Sequence, residues 1–507
     1  MSKPVRRFGK LLLAVLVVLI AVAAIFGGPP LYRIALLGSG YMAQPPLYRI
    51  ALLGSGYMAQ QLCAGLFVSG RSFDHVMAED LSGPGLGALA LFSPHVDETG
   101  KAVRASPFGV GFAGQTAVFQ NGLGCTLIRH ESVEAFHAEN PDAFGPEPPP
   151  APDAEWPDGS RVAAGPWGPD FDWPDGLDGQ AASRAVEAIF AEPDPAHPRN
   201  TRGLVVVHKG RIVAERYAPG FDAHMPLVGW SMSKTGTNAL IGLRIKDGAL
   251  ALDDKHVMPE WLGQDDMRGE ITLDMLLRMT SGLAFDEDPN DKLSDVSQMM
   301  FVHGNTAAFA ASNPLAYAPG THWSYSTGSS AILLGVLRET FDTEQDYLRY
   351  PRDRLFGPLG MRTAQLAPDA AGTLMGGAFL YASARDWARL GLLFLRDGRW
   401  GGKQILPEGW AAYTTRPTVQ SPNDRYGAQV WLKLEKSENF GEPPMPADSF
   451  YMLGHNGQVV AMVPSKDLVV VRLGQTLSGG YWDTARDLGP LVNAFPDIET
   501  AAEPPNP

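Results

Sequence analysis

Apolar and polar positions change period several times along the 507-residue chain. Leu11–Phe26 runs without a polar residue behind Lys3, Arg6, Arg7 and Lys10, and Gly27-Gly28-Pro29-Pro30 ends it. As a helix this run spans about 24 Å at ~1.5 Å per residue. That is a little short of a hydrocarbon core of ~30 Å, and long for the core of a signal peptide. Residues 1–28 are therefore read as a membrane anchor or a signal segment, with Ala21-Val22-Ala23 as the cleavage site in the second case. The basic residues precede the apolar run, so the positive-inside tendency carries the rest of the chain across the membrane. The expectation is an inner-membrane anchor with the body facing the periplasm; secretion after cleavage is the alternative.

Pro29–Gln44 reads PPLYRIALLGSGYMAQ, and Pro45–Gln60 repeats it letter for letter. Two perfect copies do not make a solenoid. Residues 29–60 are read as a tandem duplication without chemistry. In residues 61–170, Ala117–Gln120 and Cys125–Ile128 flank Asn121-Gly122, the signature of a tight hairpin. The stretch from about 140 to 178 is rich in Pro, Gly and Asp and reads as a linker or extended wrap, pinned by Trp156, Trp167 and Trp173.

From residue 171 to 500 the pattern is that of a folded domain. Gln180–Ala191 predicts a helix. Gly203–His208 and Arg211–Tyr217 predict strands around a Lys209-Gly210 turn. Helix-like periodicity runs from Ser231 to about 400. Ala428–Leu434, Gln458–Val463 and Leu468–Leu473 predict strands, and Asp483–Ala494 a closing helix. Strands at both ends with helices between them predict an α+β fold, one antiparallel sheet built from both chain ends beside a mostly helical lobe.

Composition narrows the function. Hydrophobic residues make up 45% and charged residues 19%, as in globular proteins. The net charge of −14 argues against a nucleic-acid partner, which needs basic groups to neutralise phosphate. Cys63 and Cys125 are too few for a disulfide scaffold, and no Cys/His spacing suggests a metal. Outside the cytoplasm they can pair; inside it they are two buried thiols. Gly83, Gly85 and Gly87 alternate outside any strand–helix unit and do not read as a phosphate loop. No G-x-S-x-G elbow is present.

The candidate chemistry begins at Trp230-Ser231-Met232-Ser233-Lys234. Ser231 falls near the first turn of a predicted helix, and positions i and i+3 share a face. A serine hydroxyl needs a base to become a nucleophile. A lysine in a low-dielectric site gives up its proton more readily. Alone, S-x-x-K also describes a cap and a solvated lysine. Two later segments strengthen it: Trp323-Ser324-Tyr325-Ser326-Thr327 ahead of the apolar run Ala331–Leu337, and Gly454-His455-Asn456-Gly457-Gln458 leading into a strand.

S-x-x-K, then a tyrosine motif, then a basic-x-Gly triplet resembles the serine β-lactamase and penicillin-binding-protein superfamily. Leu276–Leu283, Pro358–Met361 and Ala382–Asp386 resemble its class C and esterase branch, nearest in kind to 6-aminohexanoate-oligomer hydrolases. The resemblance covers about residues 175–495. It implies a β-lactamase/transpeptidase-like fold and an acyl-enzyme at Ser231. Lys234 and Tyr325 would share the proton transfers. The backbone N–H groups of Ser231 and Gln458 would form the oxyanion hole, and His455, Asn456 and Gly457 would line the substrate wall. No cofactor or metal is implied, and the partner is a small amide or ester substrate.

Two departures refine this. Thr327 stands where the β-lactamase tyrosine motif usually ends in Asn, and His455 stands where a lysine usually meets a substrate carboxylate. Histidine, with an ordinary pKa of ~6.5, is a weaker anion anchor near pH 7. Amide or ester hydrolysis is thus expected ahead of β-lactamase or D-Ala-D-Ala peptidase activity. A non-catalytic, anchored sensor is the reading from another class.

Overall fold

A computed structural model describes residues 46–498 apart from 130, 141–143, 145–153, 164, 166, 169–170, 264, 289–290, 292, 435–444 and 478–479. The expected anchor and the first copy of the repeat lie outside the described residues. Met1–Ile50 and Ala51–Pro507 cluster as two units.

The second copy of the repeat forms most of helix α1, Pro46–Cys63. With the π turn that follows it, Pro46–Val68 is long and apolar enough to cross a membrane, yet most of it is buried in the protein. Its Gly-Ser-Gly triplet permits this burial. A Cβ on Gly54 would stand 2.3 Å from the Phe92 ring, and one on Gly56 would stand 2.5 Å from the Phe301 carbonyl. Small residues here exchange helix propensity for close packing.

Four strands follow: β1 Phe92–Asp97, β2 Ala102–Pro107, β3 Gln115–Gln120 and β4 Gly124–Ile128. They pair antiparallel in chain order. The expected Asn121-Gly122 hairpin joins β3 to β4, with Gln120 opposite Gly124. Cys63 and Cys125 form a disulfide that ties the end of α1 to β4. The three linker tryptophans are pinned. Trp156 is buried beneath the Arg389 guanidinium. Trp167 donates to Glu187 and Trp173 to Ser183, each at 2.9 Å.

The central sheet combines both ends of the remaining chain. Helix α2 is Gly179–Phe190, β5 Thr201–His208, β6 Arg211–Tyr217 and β7 Leu227–Val228. In the helical lobe, α3 is Ser233–Lys246, α4 Leu273–Leu277, α5 Thr306–Ala311 and α6 Thr327–Arg338. Then come β8 Gln365–Leu366, β9 Leu380–Ala382 and α7 Ala384–Leu395. Last are β10 Phe450–Gly454, β11 Gln458–Val463, β12 Leu468–Gly474 and α8 Thr484–Asn493.

Among the described residues the large sheet runs β10-β11-β12-β5-β6, every pair antiparallel. Successive side chains of a strand face opposite sides. Leu204 and Val206 of β5 enter the core shared with α2 and α8, while Val205 and Val207 enter the core shared with α7 and the helical lobe. Both faces are covered, and Leu204–Val207 of β5 is an unbroken apolar run.

One strand differs from expectation. Ala428–Leu434 does not join the sheet. Ala428 donates to the Thr414 carbonyl and Gln429 to the Leu277 carbonyl, so the segment crosses helix ends. A Cβ on Gly427 would clash with the Thr414 carbonyl at 2.1 Å, and Gln429 is left-handed at φ 60°. Trp431 alone bridges to Tyr451.

Candidate active site

The turn that carries Ser231 is fastened from two sides. Gly229 donates to the Leu380 carbonyl at 2.9 Å, which anchors the chain as it leaves β7. A Cβ on Gly229 would stand 2.1 Å from Trp387, so only glycine fits. Trp230 takes φ 48°, a costly conformation for a bulky residue that aims the next side chain. Residues Trp230–Met232 make a single 3-10 turn before α3 begins at Ser233. Ser233 Oγ donates to the Trp230 carbonyl at 2.6 Å and accepts from the Leu380 amide at 3.1 Å. The expected helix is present, and Ser231 lies in the tighter turn ahead of it.

Lys234 is almost completely buried. Its Nζ lies 3.1 Å from Ser231 Oγ, 2.9 Å from Thr327 Oγ1 and 3.0 Å from the Gly377 carbonyl. Burial pushes its pKa down to about 8, against the pull of Glu287. The Tyr325 ring covers Nζ with its centroid 4.9 Å away. Burial holds the Tyr325 phenol protonated well above the ordinary range, against a smaller opposing pull from the Ser231 hydroxyl. Ser324 donates to the Met279 carbonyl at 2.9 Å, and Ser326 caps α6 by accepting from the Ser329 amide. These bonds fix Tyr325 between two anchored neighbours. The structure thus brings Ser231, Lys234 and Tyr325 together. A hydroxyl between a neutral-prone amine and a protonated phenol can lose its proton to the first and see a proton supplied by the second.

The late triplet leads directly into a strand, as expected, and fills the turn ahead of it. His455–Gly457 forms the tight turn between β10 and β11, with Asn456 and Gly457 both left-handed. His455 is exposed and meets Trp230 edge-on, ring centroids 5.6 Å apart. Asn456 turns away from Ser231: its amide donates to Gln475 Oε1, and its carbonyl accepts from the Thr476 amide at 3.0 Å.

The expected role of Gln458 also needs correction. Tyr451 exchanges both backbone bonds with Trp431 on the outer edge of β10. Antiparallel pairs alternate, so the Gly454–Gln458 pair, three residues on, exchanges its bonds within the hairpin. The Gln458 N–H is committed to the Gly454 carbonyl and does not face Ser231. By the same alternation the Leu453 amide points to the outer edge. Gly454 itself packs against the Ser231 turn, since a Cβ on it would stand 2.2 Å from the Gly229 carbonyl.

Several residues at the site escaped sequence reasoning. Glu287 accepts from the Thr327 amide at 2.7 Å and from the Thr327 hydroxyl. It sits in an acidic stretch that reads as solvated surface. Trp431 stacks on Tyr325. Arg472 is fully buried behind the turn and donates to the Gly457 and Asn456 carbonyls. A signal for Arg472 was present: it is the one charge within Leu468–Leu473, an otherwise apolar strand. Among the described residues, no group of three or more His, Cys, Asp or Glu side chains could hold a metal.

The fold defines a class, the β-lactamase/transpeptidase-like α+β folds, and comparison with known proteins narrows it. The family model described as Beta-lactamase matches residues 186–493. The chain belongs to the beta-lactamase family of hydrolases. A local match of 34% identity over 102 residues joins it to an uncharacterised protein of Alkalihalophilus pseudofirmus, covering 18% of this chain and 29% of that one. Another, 40% over 55 residues, joins it to a D-aminopeptidase of Brucella anthropi, covering 11% and 10%. The chain thus spans under a third of each of these curated relatives. Among solved structures it is similar to a protein assigned as a 6-aminohexanoate-dimer hydrolase from Bacillus anthracis, at 22% identity and a TM-score of 0.47, covering 55% of this chain and 74% of that one.

Proposed function

We propose that the protein is a serine hydrolase that cleaves a small amide or ester through an acyl-enzyme on Ser231. The observation that carries this reading is the placement of Ser231 Oγ 3.1 Å from the buried amine of Lys234, with the Tyr325 ring centroid 4.9 Å from the same amine. In acylation, neutral Lys234 takes the Ser231 proton as Oγ bonds to the substrate carbonyl carbon. The Ser231 N–H, in a turn whose first amides lack intrahelical acceptors, stabilises the oxyanion. We assign the second donor to the Leu453 N–H on the outer edge of β10. Collapse breaks the bond to the leaving amine or alkoxide, which receives its proton from Tyr325; Lys234 then returns a proton to the phenol. Water retraces these steps to release the acid.

The local match to a protein named D-aminopeptidase supports an amide among the substrates. The exposed His455 at the rim, in place of a lysine, supports neutral acyl groups over carboxylate-bearing β-lactams. The Cys63–Cys125 disulfide supports residence in an oxidising compartment, and the basic, apolar first 28 residues support delivery across the inner membrane.

The test is labelling by a fluorophosphonate probe, followed by turnover of a short-chain nitrophenyl ester and of a chromogenic cephalosporin. Wild type should label, Ser231→Ala should not, and the ester should turn over faster. Preference for the cephalosporin would place the chain with the β-lactamases. Absence of labelling in folded wild type would sink the hydrolase reading and favour a sensor.

A further inference from the structure

Glu287 has no place in the serine–lysine–tyrosine scheme, yet among the described residues both oxygens of its carboxylate accept from one residue of the site. Oε2 accepts from the Thr327 amide at 2.7 Å, and Oε1 accepts from the Thr327 hydroxyl. Thr327 Oγ1 in turn lies 2.9 Å from Lys234 Nζ.

The direction of these bonds follows from counting protons. A threonine hydroxyl has one proton to donate, and an ionised carboxylate only accepts. With Glu287 ionised, the Thr327 proton points at Glu287 and an oxygen lone pair faces Lys234. The Gly377 carbonyl, 3.0 Å from Nζ, also only accepts. Two protons of the amine are thereby committed to Thr327 and Gly377. On a neutral amine, the remaining tetrahedral position is the nitrogen lone pair. The remaining neighbour within hydrogen-bond distance is Ser231 Oγ.

We infer that Glu287 is a positioning residue which, through the Thr327 hydroxyl, turns the lone pair of Lys234 toward Ser231. This rests on the reading of Lys234 as the base. Without the carboxylate, the Thr327 hydroxyl is released to donate its proton to that lone pair, and the base is occupied by the wrong partner. Two features favour the ionised carboxylate. Both of its oxygens receive a proton from Thr327, which an amide or a neutral acid cannot match. It also sits at the first residue of α6, a twelve-residue helix whose N-terminal end is electropositive. Burial opposes ionisation and raises the Glu287 pKa, while Lys234 and the two Thr327 bonds lower it. The charged and titratable groups around the amine are Glu287 and the Tyr325 phenol, with Asp286 beside Glu287 and Tyr426 behind Tyr325. Thr327 in place of the usual asparagine becomes intelligible, because a hydroxyl can relay the orientation that a distant carboxylate sets.

The experiment measures fluorophosphonate labelling rate against pH for the full chain, with ester KM alongside. Glu287→Gln removes one of two acceptors and should lower the plateau rate by about 10²-fold, the scale of a misplaced reacting group. It should also move the rising limb to lower pH, because losing an anion beside the ammonium eases proton release. Thr327→Val should lower the plateau similarly, and Thr327→Ser should restore most of it. KM should stay near wild type in all three, since neither residue contacts substrate in this scheme. Wild-type plateau and limb in Glu287→Gln, a limb displaced to higher pH, or a wild-type rate in Thr327→Val would each overturn the inference. Failure of the underlying reading is recognised in different samples: wild type that does not label, or Ser231→Ala that does.

Discussion

Tyr325 stacks on Trp431, ring centroids 5.3 Å apart and planes 30° from parallel. Tyr426 meets both rings edge-on, and Trp323 packs against Tyr426 and Trp431. A phenol held by this cluster keeps its place beside Lys234 at little further entropic cost. Aromatic pairs contribute ~0.5–1.5 kcal/mol beyond burial, and 1.4 kcal/mol is tenfold in a rate or equilibrium. Trp431→Ala should therefore slow probe labelling by about tenfold, while Trp431→Phe keeps most of the rate. Equal rates in wild type and Trp431→Ala would detach the aromatic cluster from the function of Tyr325.

The pH dependence has a definite sign. Lys234 can accept the Ser231 proton only as the neutral amine, and its pKa is pushed down to about 8. Labelling should rise as pH passes through 8 and then level off, because the Tyr325 phenol stays protonated beyond that range. The same shift couples to stability. The folded chain holds this proton less tightly than the unfolded chain, whose lysine has the ordinary value of 10.5. The contribution of Lys234 to stability is thus present above 10.5 and lost as pH falls toward 8. Lys234→Ala and Tyr325→Phe should each lower labelling by about 10²–10⁴-fold, the usual contribution of a positioned acid or base. A rate that falls between pH 7 and 9 would contradict the assignment of Lys234.

Legibility in the sequence followed the range of the interactions. The helix α2, the β5–β6 hairpin around Lys209-Gly210 and the Asn121-Gly122 turn are set by neighbours a few residues apart, and all were readable. Ser231, Lys234 and Tyr325 were found because helix spacing and motif order encode them locally. Glu287 and Trp431 were not, since each matters only through a partner 40 and 106 positions away (Thr327 and Tyr325), counted along the sequence. The triplet His455-Asn456-Gly457 was placed on the approach to a strand because the strand before it, Phe450–Gly454, lacks strict alternation. With β10 recognised, Asn456-Gly457 would have read as a hairpin turn, and Gln458 as its paired closing residue.

Arg472 makes that turn sensitive to a residue the substrate never meets. Its guanidinium donates to the carbonyls of Gly457 and Arg199 and to Thr201 and Thr476. Burial lowers its pKa to about 9, against the pull of Asp487. Arg472→Met would leave several buried carbonyls without a donor, each costing ~1–3 kcal/mol. The expected loss is about 3 kcal/mol in urea unfolding, with slower labelling as the β10–β11 turn loosens. Arg472→Lys should recover only part, because an ammonium cannot span the same set of acceptors. A wild-type unfolding midpoint in Arg472→Met would show that the turn holds without it.

The disulfide gives a prediction that separates the extension from the catalytic machinery. Cys63 and Cys125 are 62 positions apart, and they join α1 to β4. Closing a loop of that length removes about 4 kcal/mol of unfolded-chain entropy on the chain-entropy account. The joined segments also reach the site: Gln60 donates to the Cys125 carbonyl at 2.8 Å and to the Tyr381 hydroxyl at 3.4 Å. Tyr381 lies in β9, whose Leu380 anchors Gly229 and Ser233 beside Ser231. Reduction, or the double substitution Cys63→Ser with Cys125→Ser, should lower the melting temperature markedly. At 25 °C, with the protein still folded, labelling should fall only a few-fold, because the hydrogen bonds that carry β9 remain. A melting temperature insensitive to dithiothreitol in the wild type would mean that the two thiols are not joined in solution.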